Sequence, residues 1–185
     1  MKLINRKTIG LMLLAITAAC SLTACKKETD PVYVHVGPNW KALHQMDTSK
    51  ASIPVKVKIK KKYSEGEKMQ LQVNAEGSGK LWIMQVDPND KVSMLLPNPI
   101  MTDNSIDPDK TILLPPTNAD WHIAAEKPYG ESLFVFVVTS SQQSLEQVLA
   151  QAGAGKFKES LQLIQQSPKW GIAKHVVTVK AADKK

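Results

Sequence analysis

From Pro54 onward, hydrophobic and polar residues alternate with a period of two. Val55, Val57 and Ile59 are interleaved with Lys56, Lys58 and Lys60, and Met69, Leu71 and Val73 with Lys68, Gln70, Gln72 and Asn74. That period places the apolar set on one face of a strand and the polar set on the other. Turn-forming Ser64-Glu65-Gly66-Glu67 and Glu76-Gly77-Ser78-Gly79 punctuate these runs, and a third strand is expected over 81–86. Asp87-Pro88-Asn89-Asp90 then leads into a fourth run, 92–96, which Pro97-Asn98-Pro99 stops. Runs so closely spaced predict an antiparallel meander rather than βαβ units.

Residues 99–131 lose this periodicity, and one short strand is expected there, at 111–114. Residues 133–138 are apolar at every position, as in a central strand covered on both faces. Two short helices are expected over 144–151 and 157–166, with apolar stripes Leu145, Val148, Leu149 and Phe157, Leu161, Ile164. Gly153-Ala154-Gly155 separates them, a closing strand follows at 175–179, and 181–185 is a polar tail. The fold predicted is mainly β (α+β at most): an antiparallel, sandwich-like domain with two short helices inserted before the last strand. Its expected core includes Val57, Leu71, Ile83, Phe134, Phe136 and Val177. The helical insert and the loop from Asp103 to Pro116 are expected to contribute to partner contact.

The amino-terminal part has a different pattern. Lys2, Arg6 and Lys7 precede an apolar stretch over 9–19, which ends in Leu22-Thr23-Ala24-Cys25. A basic start, a short apolar run and small residues before a cut are the marks of a secretory signal peptide. The run is too short to span about 30 Å of hydrocarbon. Leu-Thr-Ala-Cys resembles the lipobox of bacterial lipoproteins, which implies cleavage after Ala24 and acylation of Cys25. Cys20 is the rival site, but Thr17 stands where the pattern wants Leu, Val or Ile. Two or three acyl chains, at about 0.8 kcal/mol per buried methylene, would hold the protein on a membrane without a spanning helix. Lys26 follows the cysteine where an Asp would favour inner-membrane retention, so the outer membrane is expected. The organisation predicted is a lipoprotein signal peptide at 1–24, a lipid-anchored tether at 25–52 and one β-rich globular domain at 53–180. Val32 to Val36 alternates in the manner of a short edge strand. As flexible coil, the tether would reach about 28 Å.

Cleavage would leave 161 of the 185 residues, enough for one domain with a proper core. Three of the 24 basic residues and none of the 17 acidic ones lie in the leader, so the formal +7 falls to +4. An exported, lipid-anchored chain does not meet chromosomal DNA, and nucleic acid is not an expected partner. Of the two cysteines, Cys20 leaves with the leader and Cys25 is used as the anchor, which excludes disulfides and thiolate chemistry.

Several motifs then appear in a definite order. Gly66-Glu67 opens a strand, Gly79 precedes Leu81-Trp82-Ile83 and Asp87, and Leu95-Leu96-Pro97-Asn98 follows. Pro115, then Glu126-Lys127-Pro128-Tyr129-Gly130-Glu131 and the strand from Leu133, complete the series. This order resembles the bacterial family called domain of unknown function 4384, over roughly residues 54–140. Leu81 and Leu96 depart from it, standing where the family often has aromatic residues. The resemblance implies a β-rich exported domain that accompanies other envelope modules, and no settled activity. Read physically, Pro97 ends a ladder, Asn98 caps a turn through its side chain, and Gly130 supplies positive φ beside Pro128.

No catalytic, metal or cofactor site is expected. His35, His44, His122 and His175 lie far apart, without metal-ligand spacing. Gly77-Ser78-Gly79-Lys80 and Gly153-Ala154-Gly155-Lys156 lack the first glycine and the terminal Ser or Thr of a phosphate loop. Asp103, Asn104, Ser105, Asp107 and Asp109 supply hard oxygens, but the glycine and bidentate Glu of a calcium loop are missing. Lys56, Lys58 and Lys60 would project about 6.5–7 Å apart. They either guard an edge strand against aggregation or form a face for an acidic partner. The function expected is that of a non-catalytic scaffold or recruitment subunit of a periplasmic or outer-membrane assembly, resembling a type VI secretion accessory by analogy of layout. The alternatives are a binding module for peptidoglycan or lipopolysaccharide, and a hydrolase with an unrecognised carboxylate site. The expected partners are the membrane through the anchor, an envelope protein, and an anionic cell-wall polymer.

Overall fold

A computed structural model describes residues 37–108, 110–140 and 157–182 of the chain. Among these residues, eleven strands and two helices are laid out in three layers. The first layer is a three-stranded antiparallel sheet with β1 (Val55–Lys58) at one edge, β4 (Leu71–Ala75) in the centre and β8 (Ile112–Leu114) at the other edge. The middle layer is a six-stranded sheet. It runs β2 (Lys62–Ser64), β11 (Trp170–Lys180), β10 (Gly130–Thr139), β5 (Gly79–Val86), β6 (Val92–Leu96), with β7 (Ser105–Ile106) paired to the start of β5. All of these pairs are antiparallel except β2 with β11. A two-stranded ribbon, β3 (Lys68–Met69) with β9 (Ile123–Ala124), completes the β structure. The fold is thus mainly β, antiparallel and sandwich-like. The third layer is formed by α1 (Pro38–His44) and α2 (Phe157–Gln165).

Side-chain alternation explains the layering. On β5 and β10, Leu81, Ile83, Phe134, Phe136 and Val138 point toward the small sheet, where Leu71, Val73 and Leu114 meet them. The intervening Trp82, Met84, Val86, Leu133, Val135 and Val137 point the other way, against the helices. Residues 81–84 of β5 and 133–138 of β10 are therefore apolar without a break, because both faces are covered there. At about 1.5–3 kcal/mol for each large apolar side chain buried, these two cores supply most of the driving force. The expected core residues Leu71, Ile83, Phe134, Phe136 and Val177 are buried. Val57 is partly buried, since it sits on the edge strand.

Two helices were expected before the last strand. The second is present as α2, and Phe157, Leu161 and Ile164 are buried against the outer face of the large sheet. The first, at 144–151, lies outside the described residues, as does the strand pattern at 32–36. The helix α1 falls inside the stretch assigned to the tether. Its Trp40 and Leu43, with Met46 just beyond, are buried in the same layer as α2. Residues 38–46 therefore pack as part of the globular body. The physical reason is an apolar repeat every three residues that covers Trp82, Met84 and Val86. The stretch at 99–131 also holds more order than expected: β7 and β9 accompany β8. Among the described residues, no helix is long and apolar enough to cross a membrane.

Candidate functional site

The lysine strand β1 is an edge strand, as its charge pattern suggests. Lys56 is paired with Glu76 at 2.7 Å, and the bond raises its pKa. Lys60 is paired with Glu67, and its ammonium also lies 5.3 Å from the Tyr63 ring centroid. That pairing, with the Ser64 amide N–H that Glu67 also accepts, holds the Glu67 carboxyl below its ordinary range. Lys58 has no ion pair among the described residues. The three lysines are thus not an equivalent row. Two are neutralised by acids of the same chain, which fits protection of an exposed edge.

What the sequence did not reveal is where β1 goes next. Lys58 lies level with Gln72, and Gln72 with Leu113, in one row across the small sheet. Beyond Lys58 the chain crosses from the small sheet to the large one, where β2 runs alongside the end of β11. The crossing leaves a notch of about 630 Å³ beside β1, and Lys58, Lys60, Lys61 and Lys68 line it together with His175. Glu67 is its one acid, and that acid is already engaged by Lys60. His175 sits edge-on to Phe136, with ring centroids 6.0 Å apart. Burial, and secondarily the charge of Lys61, push its pKa down from 6.5. The notch therefore concentrates positive charge around an imidazole that resists taking more.

The other singled-out residues have structural partners. Asn98 donates to the Leu95 carbonyl at 2.8 Å and accepts the amides of Ile100 and Met101 at 2.9 and 2.7 Å. This is the turn capping expected of it. Gly130 has φ +125°, against Pro88, and Tyr129 donates its hydroxyl to Glu65 at 2.6 Å. Asp103 accepts the Ser105 amide and Asp107 pairs with Lys110 at 3.0 Å, contacts that lower both carboxyl pKa values. These acids face their own loop; among the described residues no group of three metal-ligating side chains converges. His44 and His122 are exposed and remote from one another in the chain, and Gly79-Lys80 begins β5. Cys20, Cys25, His35, Asp109 and the Gly153 to Lys156 run lie outside the described residues.

One positioning device went unread in the sequence. Helix α1 starts at Gly37 with no side-chain cap of its own. The cap comes instead from Asp90, in the β5–β6 turn. Its carboxylate accepts the amides of Asn39 and Trp40 at 2.9 and 2.8 Å, while its carbonyl accepts the Asn39 side chain at 2.8 Å. Asp90 is, among the described residues, the non-glycine residue with positive φ, 64°. A side chain at position 37 would collide with it, so glycine is required there.

Comparison with curated proteins returns no match. Residues 62–142, from β2 to just past β10, match the model of the family described as Domain of unknown function (DUF4384).

Proposed function

We propose that the chain is a non-catalytic envelope lipoprotein, held at the periplasmic face of the outer membrane by acylated Cys25, that recruits or braces a multi-protein assembly. The observation that supports this reading is the short stretch of sequence between Cys25 and the fastened helix. Twelve positions separate Cys25 from Gly37, a distance the chain can span to at most about 40 Å. At Gly37 the backbone is locked to the β5–β6 turn by Asp90. A domain so secured works close to the membrane surface, which suits a subunit that gathers partners there. The small, strand-rich body and short lead also suit a secretion-system accessory, an analogy of layout rather than of site.

The test is co-purification from detergent-solubilised envelopes after mild cross-linking. The reading expects the same envelope protein in repeated captures, lost when Cys25→Ser removes the anchor. Captures that return no reproducible partner would overturn it.

A further inference from the structure

We propose that the notch beside β1 binds a phosphorylated saccharide through Lys58, Lys61 and Lys68. The proposal stands apart from the recruitment reading, because it concerns a site and a ligand chemistry rather than a protein partner.

Three observations carry it. The first is charge left over. Lys56 and Lys60 are spent on Glu76 and Glu67, whereas Lys58, Lys61 and Lys68 make no ion pair among the described residues. They come from three different elements, the end of β1, the crossing chain and β3, and they line one notch. Like charges gathered without counter-charges repel one another, and a bound anion relieves that cost.

The second is the shape of the opening. β1 stops at Lys58, and β3 takes its partner from β9 on the other side, Lys68 lying level with Ala124. Gln72 is level with Lys58, the last residue of β1, and Gln70, two positions earlier, has no β1 residue opposite it; both line the notch. Its volume, about 630 Å³, falls within the range of small-molecule sites.

The third is the chemistry of the lining. All its fixed cations are ammonium groups, and the chain's one arginine, Arg6, lies in the leader. A planar carboxylate is best held by a guanidinium fork, while ammonium point charges suit the tetrahedral oxygens of phosphate. Gln70 and Gln72 can both donate and accept, as sugar hydroxyls do. A peptide would need an apolar slot for an anchoring side chain. Val57, Ile59 and Tyr63 border the notch but are packed into or against the core, so with Leu113 they form a wall rather than a slot.

The experiment titrates the purified full chain, in detergent, with deacylated phosphorylated oligosaccharide from lipopolysaccharide, followed by calorimetry. Being lipid-free, this probe does not report on the anchor. The expected result is saturable binding that weakens with salt and is lost on dephosphorylating the probe. Replacing Lys58, Lys61 and Lys68 together with Ala should weaken it at least tenfold at an unchanged melting midpoint, while Lys56→Ala leaves it unchanged. If the triple variant melts lower, the single variants Lys58→Ala and Lys61→Ala should each still weaken binding. Absence of binding, wild-type affinity in the triple variant, or equal affinity for the dephosphorylated probe would overturn the proposal. Tighter binding of soluble peptidoglycan fragments or of an acidic peptide would overturn the phosphate assignment. Failure here leaves the envelope-capture result untouched, and the reverse also holds.

Discussion

Replacing Asp90 with glycine isolates one contact whose energy follows from the geometry. The carboxylate of Asp90 accepts two of the α1 amides that have no partner inside the helix, those of Asn39 and Trp40. Loss of such a cap costs about 0.5–2 kcal/mol. Glycine accepts φ 64° without steric cost, so Asp90→Gly removes the cap and leaves the turn geometry unstrained. Asp90→Ala removes the cap and adds left-handed strain of about 1–2 kcal/mol. The cost falls on α1, whose Trp40 and Leu43 cover the large sheet from one side. Each 1.4 kcal/mol raises local opening about tenfold, so Asp90→Gly should open α1 a few-fold to about thirtyfold more often. Lys41 lies exposed in α1 and is a trypsin site. Under native conditions, cleavage there tracks the open population when closing outruns cutting. The assay is the rate of appearance of the Lys41 cut by mass spectrometry, with the far-ultraviolet signal unchanged. The order expected is Asp90→Ala fastest, then Asp90→Gly, then wild type. A cut rate in Asp90→Gly equal to wild type would refute the claim that Asp90 holds the helix.

Phe136 is fully buried between the sheets, so Phe136→Ala should cost about 3–5 kcal/mol through lost transfer energy and a residual cavity; urea unfolding checks it, and an unchanged midpoint refutes it. At Gly171, a Cβ would collide with the Ile53 carbonyl, so Gly171→Ala should cost about 1–3 kcal/mol by overpacking, read as a lowered melting midpoint. The pKa of His175 is depressed in the folded state by burial and Lys61, so the unfolded chain takes up its proton first as pH falls through 6.5. Stability should therefore decline from that point down to the folded pKa, and His175→Asn should remove this slope without altering the acid limb set by carboxylates.

The strands were readable because their signal is local. Val55 and Val57 alternate with lysines on an edge, and 133–138 is apolar throughout because sheet and helices cover its two faces. Helix α1 was not readable, since its capping group sits 53 residues away on a turn, and Gly37 looks like a breaker when viewed alone. The candidate site was half legible. Lys56, Lys58 and Lys60 stood out as a charged row, but Glu76 and Glu67 meet two of them only once the turns close. Lys61, Lys68 and His175 join Lys58 where the chain beyond β1 crosses from one sheet to the other. No periodicity encodes that event, because it depends on which strands pair rather than on which faces are apolar.

The central claim, a recruiting domain held by acylated Cys25, is tested most directly by the intact mass of the mature protein purified from membranes. The account predicts a chain beginning at Cys25 and heavier than residues 25–185 by a diacylglyceryl group and an amide-linked acyl chain. A retained leader, a start at another residue, or an unmodified Cys25 would contradict it.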